Sequence, residues 1–196
     1  MPHQNIVSAA IASYKQNLTE AVDTAQTLSL VPLFSLNFNT TQIDNSWIKE
    51  ALTDLRTGYK IADKRKCAIY IFSLTAPGEN SAITEALLCH KQARQLEDKK
   101  DNLCTINGAF CDSTTLYVGR SFTPKSRITQ HLGKSDNGTY AMHLQQWAPI
   151  LGITLRLDVY DVPAYRDTVN LERAMNVLET GLWDYLQPLL GRRGDK

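Results

Sequence analysis

Leu116-Tyr117-Val118-Gly119-Arg120-Ser121-Phe122-Thr123-Pro124-Lys125-Ser126-Arg127-Ile128-Thr129-Gln130-His131-Leu132-Gly133 is the stretch on which the reading of this chain turns. Its start, with Thr114 and Thr115 just upstream, is rich in β-branched and aromatic residues and predicts a strand up to Gly119. Thr123-Pro124 then supplies an N-cap residue followed by proline at the first helical position, and Gly133 stands just past the end. These signals bracket a helix of about two to three turns. Arg127 and His131, four apart, fall on one face of it.

Working outward, Cys67-Ala68-Ile69-Tyr70-Ile71-Phe72 reads as a buried strand closed by Pro77-Gly78, and Ser81 to Lys100 as a helix with a polar start and a charged end. Leu103 to Ile106 is a candidate short strand. Downstream, Tyr140 to Trp147 reads as a short helix. Ile153 to Val162 alternates apolar and polar residues as a half-buried strand does, and about Asp167 to Leu186 is a long helix stopped by Pro188 and Gly191. Upstream, Ile6 to Ala25 contains neither Gly nor Pro and reads as a helix. A second helix, Trp47 to Ile61, carries the stripe Ile48, Leu52, Leu55 and Tyr59. Leu28 to Thr41, with Pro32 and several Asn and Thr, reads as a loop. The charge cluster Asp63-Lys64-Arg65-Lys66 marks a boundary. The expected fold is therefore α/β (α+β): a small, mainly antiparallel sheet flanked by helices. A helical extension over residues 1–65 precedes a unit over 66–196, which carries an insertion at about 73–113.

The 196 residues include 43% hydrophobic ones and carry 21 Lys+Arg against 20 Asp+Glu, a net charge of +1. That is enough apolar material for one core and excludes a wholly disordered chain. The longest apolar run, Leu28 to Phe38, is interrupted by Pro32 and falls short of the ~20 residues of a membrane span. The first residues lack the pattern of an export signal, so a cytoplasmic protein with reduced cysteines is expected. Cys89, His90, Cys104 and Cys111 do not match the ligand spacing of a common zinc module. The near-neutral total argues against a surface that coats nucleic acid everywhere. Yet residues 114–147 hold four basic groups against one acidic group, a local bias on the strand and helix quoted first.

Three pieces line up: Ala68-Ile69-Tyr70 on one strand, Tyr117-Val118-Gly119 on another, and Arg127 with His131 on the helix that follows. This order resembles the GIY-YIG nuclease family, over roughly residues 67 to 191. The later segment Val177-Leu178-Glu179-Thr180-Gly181-Leu182 before Pro188 is similar to the family's metal-binding helix. The resemblance implies a divalent-metal-dependent endonuclease that hydrolyses phosphodiester bonds in DNA, most naturally duplex DNA, with Mg²⁺ or Mn²⁺ as cofactor. It implies Tyr70 as the group that activates water, Tyr117 orienting the water or holding the phosphate, and His131 bonding a tyrosine or the substrate. Glu179 would hold the metal.

Such chemistry needs charge stabilisation on the phosphoryl oxygens and relief of charge on the leaving oxygen. Arg127 offers a planar, permanently charged fork that suits phosphate. A tyrosine, with an ordinary pKa of ~10, needs nearby cations to act as a base near neutral pH. Arg120, Lys125 and Lys134 flank the motif and are the expected nucleic-acid contacts. Glu172, two turns before Glu179, is a rival metal ligand. The five side chains Tyr70, Tyr117, Arg127, His131 and Glu179 are expected to converge on one cleft. Three departures from the family pattern stand out: Ala68 at the usual first Gly, the long insertion between the two strands, and Gly191 where an Asn is usual. The missing Asn, with the near-neutral total charge, leaves an alternative: a catalytically impaired nuclease-fold module that binds DNA or a protein partner. A homodimer would suit cleavage of both strands of a duplex.

Overall fold

A computed structural model describes residues 2–57, 66–98, 102–133, 138–165 and 170–194. Among them four strands, β1 (Val31–Asn39), β2 (Lys66–Leu74), β3 (Thr115–Ser121) and β4 (Thr154–Tyr165), form one sheet in the order β1-β4-β2-β3. Each adjacent pair is antiparallel. The helices are α1 (Pro2–Thr27), α2 (Asn45–Ala51), α3 (Thr53–Thr57), α4 (Asn80–Leu96), α5 (Pro124–Leu132), α6 (Leu144–Trp147) and α7 (Leu171–Leu186). The class is mixed α/β, with an antiparallel sheet flanked by helices and a helix at the N-terminus.

The apolar run of β2 lacks polar alternation because both of its faces are covered. Ala68, Tyr70, Phe72 and Leu74 enter the larger core with Leu155, Leu157 and Val159 of β4, Ile83 and Leu87 of α4, and Ile128 and Leu132 of α5. Cys67 and Ile69 face the other way, into a smaller cluster with Val162 and with Leu171 and Met175 of α7. Burial pushes the Cys67 thiol up to about 11, so it sits there as a neutral apolar group. Strand β2 is therefore the wall between two cores.

Four expectations are corrected. The stretch Leu28 to Thr41, expected as a loop, contains β1, paired along its length with β4. Phe34, Leu36 and Phe38 alternate with Ser35, Asn37 and Asn39, which is a strand pattern that the Pro and Asn content masked. Pro32 is tolerated because β1 is an edge strand with an irregularity between Pro32 and Phe34. The expected helix Trp47 to Ile61 breaks at Leu52, which separates α2 from α3, and its end past residue 57 lies outside the described residues, as do residues 63–65 of the charge cluster. The short helix begins only at Leu144, since His143 takes a left-handed conformation with φ 51°. Leu103 to Ile106 makes two isolated bridges, Leu103 to Ala141 and Ile106 to Leu190, instead of a strand.

The pairing of the two motif strands holds despite the long connection between them. In the β2–β3 register Tyr70 lies opposite Gly119, and Phe72 opposite Tyr117. Among the described residues no helix is long and apolar enough to cross a membrane.

Candidate functional site

Because partners in an antiparallel pair share a face, the register places Tyr70, Phe72, Tyr117 and Gly119 together on the side that α5 covers. The rings of Tyr70 and Tyr117 stack, 6.3 Å apart and 7° from parallel. His131 closes this group from α5, its ring 4.4 Å from that of Tyr117 and 5.5 Å from that of Tyr70. Gly119 makes the arrangement fit. A Cβ there would stand 2.5 Å from the Tyr70 hydroxyl oxygen and 2.9 Å from Cε1 of Tyr117.

The hydrogen bonds of His131 fix its tautomer. Nδ1 accepts from the backbone N–H of Met142 at 3.3 Å, and Nε2 lies 3.2 Å from the Tyr70 hydroxyl oxygen. A neutral imidazole whose Nδ1 is an acceptor carries its proton on Nε2, so His131 donates to Tyr70. The Arg127 guanidinium donates to the Gln130 side chain at 3.0 Å and to the Tyr140 carbonyl at 2.6 Å, and its charge acts on both tyrosines. One neutral donor, His131, and the positive charge of Arg127 thus act on the phenol oxygen of Tyr70. That is a setting for a phenolate.

Burial opposes it and wins in the state described. Tyr70 is 1% exposed, and its desolvation raises the hydroxyl pKa well above the ordinary tyrosine value against the pull of Arg127. Tyr117 is raised for the same reason. The lowered pKa that a tyrosine base requires is therefore not present here. It would follow only from admitting water to the hydroxyl, which removes the desolvation and leaves the His131 donor and the charge of Arg127.

His131 is fully buried, and burial first, then the charge of Arg127, hold its pKa well below that of a free histidine. The folded state therefore binds this proton less readily than the unfolded state. Stability from this group is complete above the unfolded pKa of ~6.5 and is lost as pH falls below it, by up to ~1.4 kcal/mol per pH unit. Urea unfolding at pH 7.5 and 5.5 tests this: the midpoint should fall at pH 5.5, and the fall should be smaller in His131→Gln. An equal fall in both proteins would show that His131 does not titrate with folding.

Glu179 reaches the region from a different side. Helix α7 packs through Leu171 and Met175 on the Cys67–Ile69 face of the sheet, opposite the face that carries Tyr70 and Tyr117. The carboxylate of Glu179 accepts from Nε of Arg120 at 3.0 Å, and the same guanidinium also bonds Asn176. Burial raises the Glu179 pKa, and Arg120, then Arg127, pull it down. Its charge is felt in turn at Tyr70. Four of the five expected residues therefore form one contact network, and the expected convergence of all five on one cleft is corrected, because Glu179 comes from the opposite face of the sheet. The fifth stands within electrostatic reach of it, with Arg120 as its direct partner. Glu172, the rival ligand, is exposed.

The expected nucleic-acid contacts are placed as follows. Arg120 is engaged by Glu179 and Asn176, and Lys125 donates to the Leu52 carbonyl at 2.7 Å. Lys134 lies outside the described residues. Sequence reasoning passed over Tyr140 and Arg192. Tyr140 accepts Arg127 on its carbonyl, its hydroxyl accepts from the Thr105 N–H at 2.8 Å, and the Arg192 guanidinium sits 4.5 Å above its ring. No motif spacing links residues 105, 127, 140 and 192, so only the fold could reveal this group.

Gly191, where the family pattern has Asn, has a local reason. Its φ is +118°, and a Cβ would meet the Tyr117 ring at 3.1 Å. Glycine is what lets residues 189–191 run beside β3, where the N–H groups of Leu189 and Leu190 donate to Thr115 and Leu116. A side-chain amide still enters this corner from the insertion, where Asn107 Nδ2 donates to the Pro188 carbonyl at 2.9 Å.

For a divalent ion the candidate ligand is Glu179. Its side chain is one-fifth exposed at 20%, and Mg²⁺ commonly binds through one or two carboxylates while keeping several waters. Among the described residues no group of three His, Cys, Asp or Glu gathers as a caged metal site. The donor chemistry suits a water-rich ion held by one carboxylate, once Arg120 yields its place. Comparison of the chain with protein-family models, with curated proteins and with solved structures finds no match.

Proposed function

We propose that this chain is a nuclease of the GIY-YIG type, hydrolysing phosphodiester bonds in DNA with a divalent metal ion. The observation that carries this reading is the stacked pair Tyr70–Tyr117 on adjacent antiparallel strands, served by His131 and Arg127 from the next helix. Two phenol oxygens, a fixed guanidinium and an imidazole N–H gathered in one place suit a site that polarises water beside a phosphate. Arg127 would bind the phosphoryl oxygens, for which its fork is shaped. His131 would keep its Nε2–H donated to the Tyr70 oxygen, stabilising negative charge there while a phenolate form of Tyr70 takes the proton of the attacking water. The metal ion, held by Glu179, would supply charge relief at the leaving oxygen.

The test is incubation of purified protein with supercoiled plasmid and Mg²⁺ or Mn²⁺, in which nicked and linear forms should accumulate. Intact plasmid under conditions where the protein still binds it would favour the second reading, an impaired nuclease-fold module. A specific observation speaks for that second reading. Glu179 rises from the far face of the sheet and is tied to Arg120 and Asn176.

The Arg120–Glu179 pair gives a further prediction. A guanidinium 3.0 Å from the carboxylate competes with a cation for it. Arg120→Gln should therefore tighten Mn²⁺ binding by roughly fivefold to tenfold, the scale of a partly buried ion pair. The electron paramagnetic resonance signal of free Mn²⁺ reads this without DNA. Unchanged or weaker binding would show that Arg120 positions the carboxylate instead of competing for it.

A further inference from the structure

Resting on the nuclease reading above, we infer that the backbone phosphates of the substrate are held by Arg192, presented on the face of Tyr140, and not by Arg120 or Lys125. Both of these are already engaged within the fold. Arg120 faces Glu179 and Asn176, and Lys125 bonds the Leu52 carbonyl. Arg192 differs. It is exposed, and its described contacts are neutral: the Thr105 hydroxyl, 3.4 Å from its Nε, and the Tyr140 ring, 4.5 Å from its Cζ. Neither contact neutralises its charge.

The setting of Arg192 is built and not incidental. The Tyr140 hydroxyl is fixed between the N–H of Thr105 at 2.8 Å and the Thr105 Oγ1 at 3.3 Å. The bridge from Gly191 N–H to the Thr105 carbonyl, at 2.9 Å, ties the residue next to Arg192 to the same segment. An arginine held over an aromatic ring by its Cζ leaves N–H groups to bond a phosphate, and a guanidinium can offer two such bonds in parallel. Tyr140 also accepts Arg127 on its carbonyl, at 2.6 Å. One residue thus sets two guanidinium groups: Arg127, whose charge acts on the paired tyrosines, and Arg192 at the surface. A nucleic-acid strand whose reacting phosphate meets Arg127 would lay a neighbouring phosphate on Arg192.

The neighbouring arginine provides the internal control. Arg193 is paired with Asp184 through two bonds of 2.7 Å, so its charge is already answered. Fluorescence anisotropy with a labelled duplex in EDTA, over a salt series, measures binding apart from cleavage. Arg192→Ala should weaken binding about five- to tenfold at low salt and reduce the slope of log K against log salt by about 0.9, the value of one phosphate contact. Arg193→Ala should change neither quantity by more than about twofold. In Mg²⁺, Arg192→Ala should raise KM with kcat nearly unchanged. The inference is overturned if Arg192→Ala keeps the wild-type affinity and salt slope, or if Arg193→Ala lowers both as much. If the wild type binds with the expected arginine contrast but never cleaves, the nuclease reading falls and the phosphate contact stands. If it cleaves and the contrast is missing, the contact alone falls.

Discussion

Glu179→Ala is expected to abolish metal-dependent cleavage, with a loss of about 10³-fold or more, in a protein that still folds. A bound metal ion contributes several kcal/mol of charge stabilisation in a transition state, and each ~1.4 kcal/mol is a factor of ten in rate. On the proposed reading Glu179 would hold the ion, and its charge acts on Tyr70. The structural cost is small. Arg120 loses an ion pair whose side chains are 19% and 20% exposed, it keeps Asn176, and partly exposed pairs contribute ~1 kcal/mol or less. The measurement is single-turnover cleavage of a labelled duplex, with thermal unfolding as the control for folding. Cleavage within tenfold of wild type would remove Glu179 from the metal site.

The second large effect concerns Gly119. Gly119→Ala should destabilise the fold by about 1–3 kcal/mol, the usual cost of overpacking a filled core, and should lower activity at the same time. The added methyl would stand 2.5 Å from the Tyr70 hydroxyl oxygen and 2.6 Å from its Cζ. A tyrosine tip on the surface would swing aside. Tyr70 is fully enclosed between Tyr117, His131 and Phe72 and has nowhere to go. Gly181 gives the contrast. It sits within α7 with nothing within 4 Å of its would-be Cβ. Gly181→Ala should therefore stabilise by about 0.5–1 kcal/mol through helix propensity. Urea midpoints of the two variants should move in opposite directions. Equal midpoints for wild type and Gly119→Ala would mean that the tyrosines do not pack over this glycine.

The parts of the fold that the sequence made legible are those where a local signal and the tertiary outcome agree. The Thr123-Pro124 start and the Gly133 end bracket α5, and the apolar run at 67–72 is β2. The resemblance carried by the motifs also grouped Tyr70, Tyr117, Arg127 and His131, and the β2–β3 register and the seat of α5 bring them into contact. Three things escaped. Strand β1 was hidden because Pro and Asn are edge-strand residues as well as loop residues, and only pairing with β4 separates the two. The raised pKa of Tyr70 depends on enclosure by α5 and β3, which no spacing reports. The approach of α7 to the far face of the sheet, with Arg120 drawn onto Glu179, is set by which side of β2 each helix covers. The same tertiary freedom produced the Tyr140–Arg192 pairing across 52 positions of sequence.

The most direct measurement is the product analysis of a labelled DNA duplex held with excess wild-type protein while Mg²⁺ is titrated from zero. The account predicts no cleavage in EDTA, a rate that rises and saturates with the ion, and a hydrolytic product in which the phosphate stays on one end and the other end is a free hydroxyl. A duplex that stays intact at every Mg²⁺ and Mn²⁺ concentration, while the protein binds it, would contradict the account.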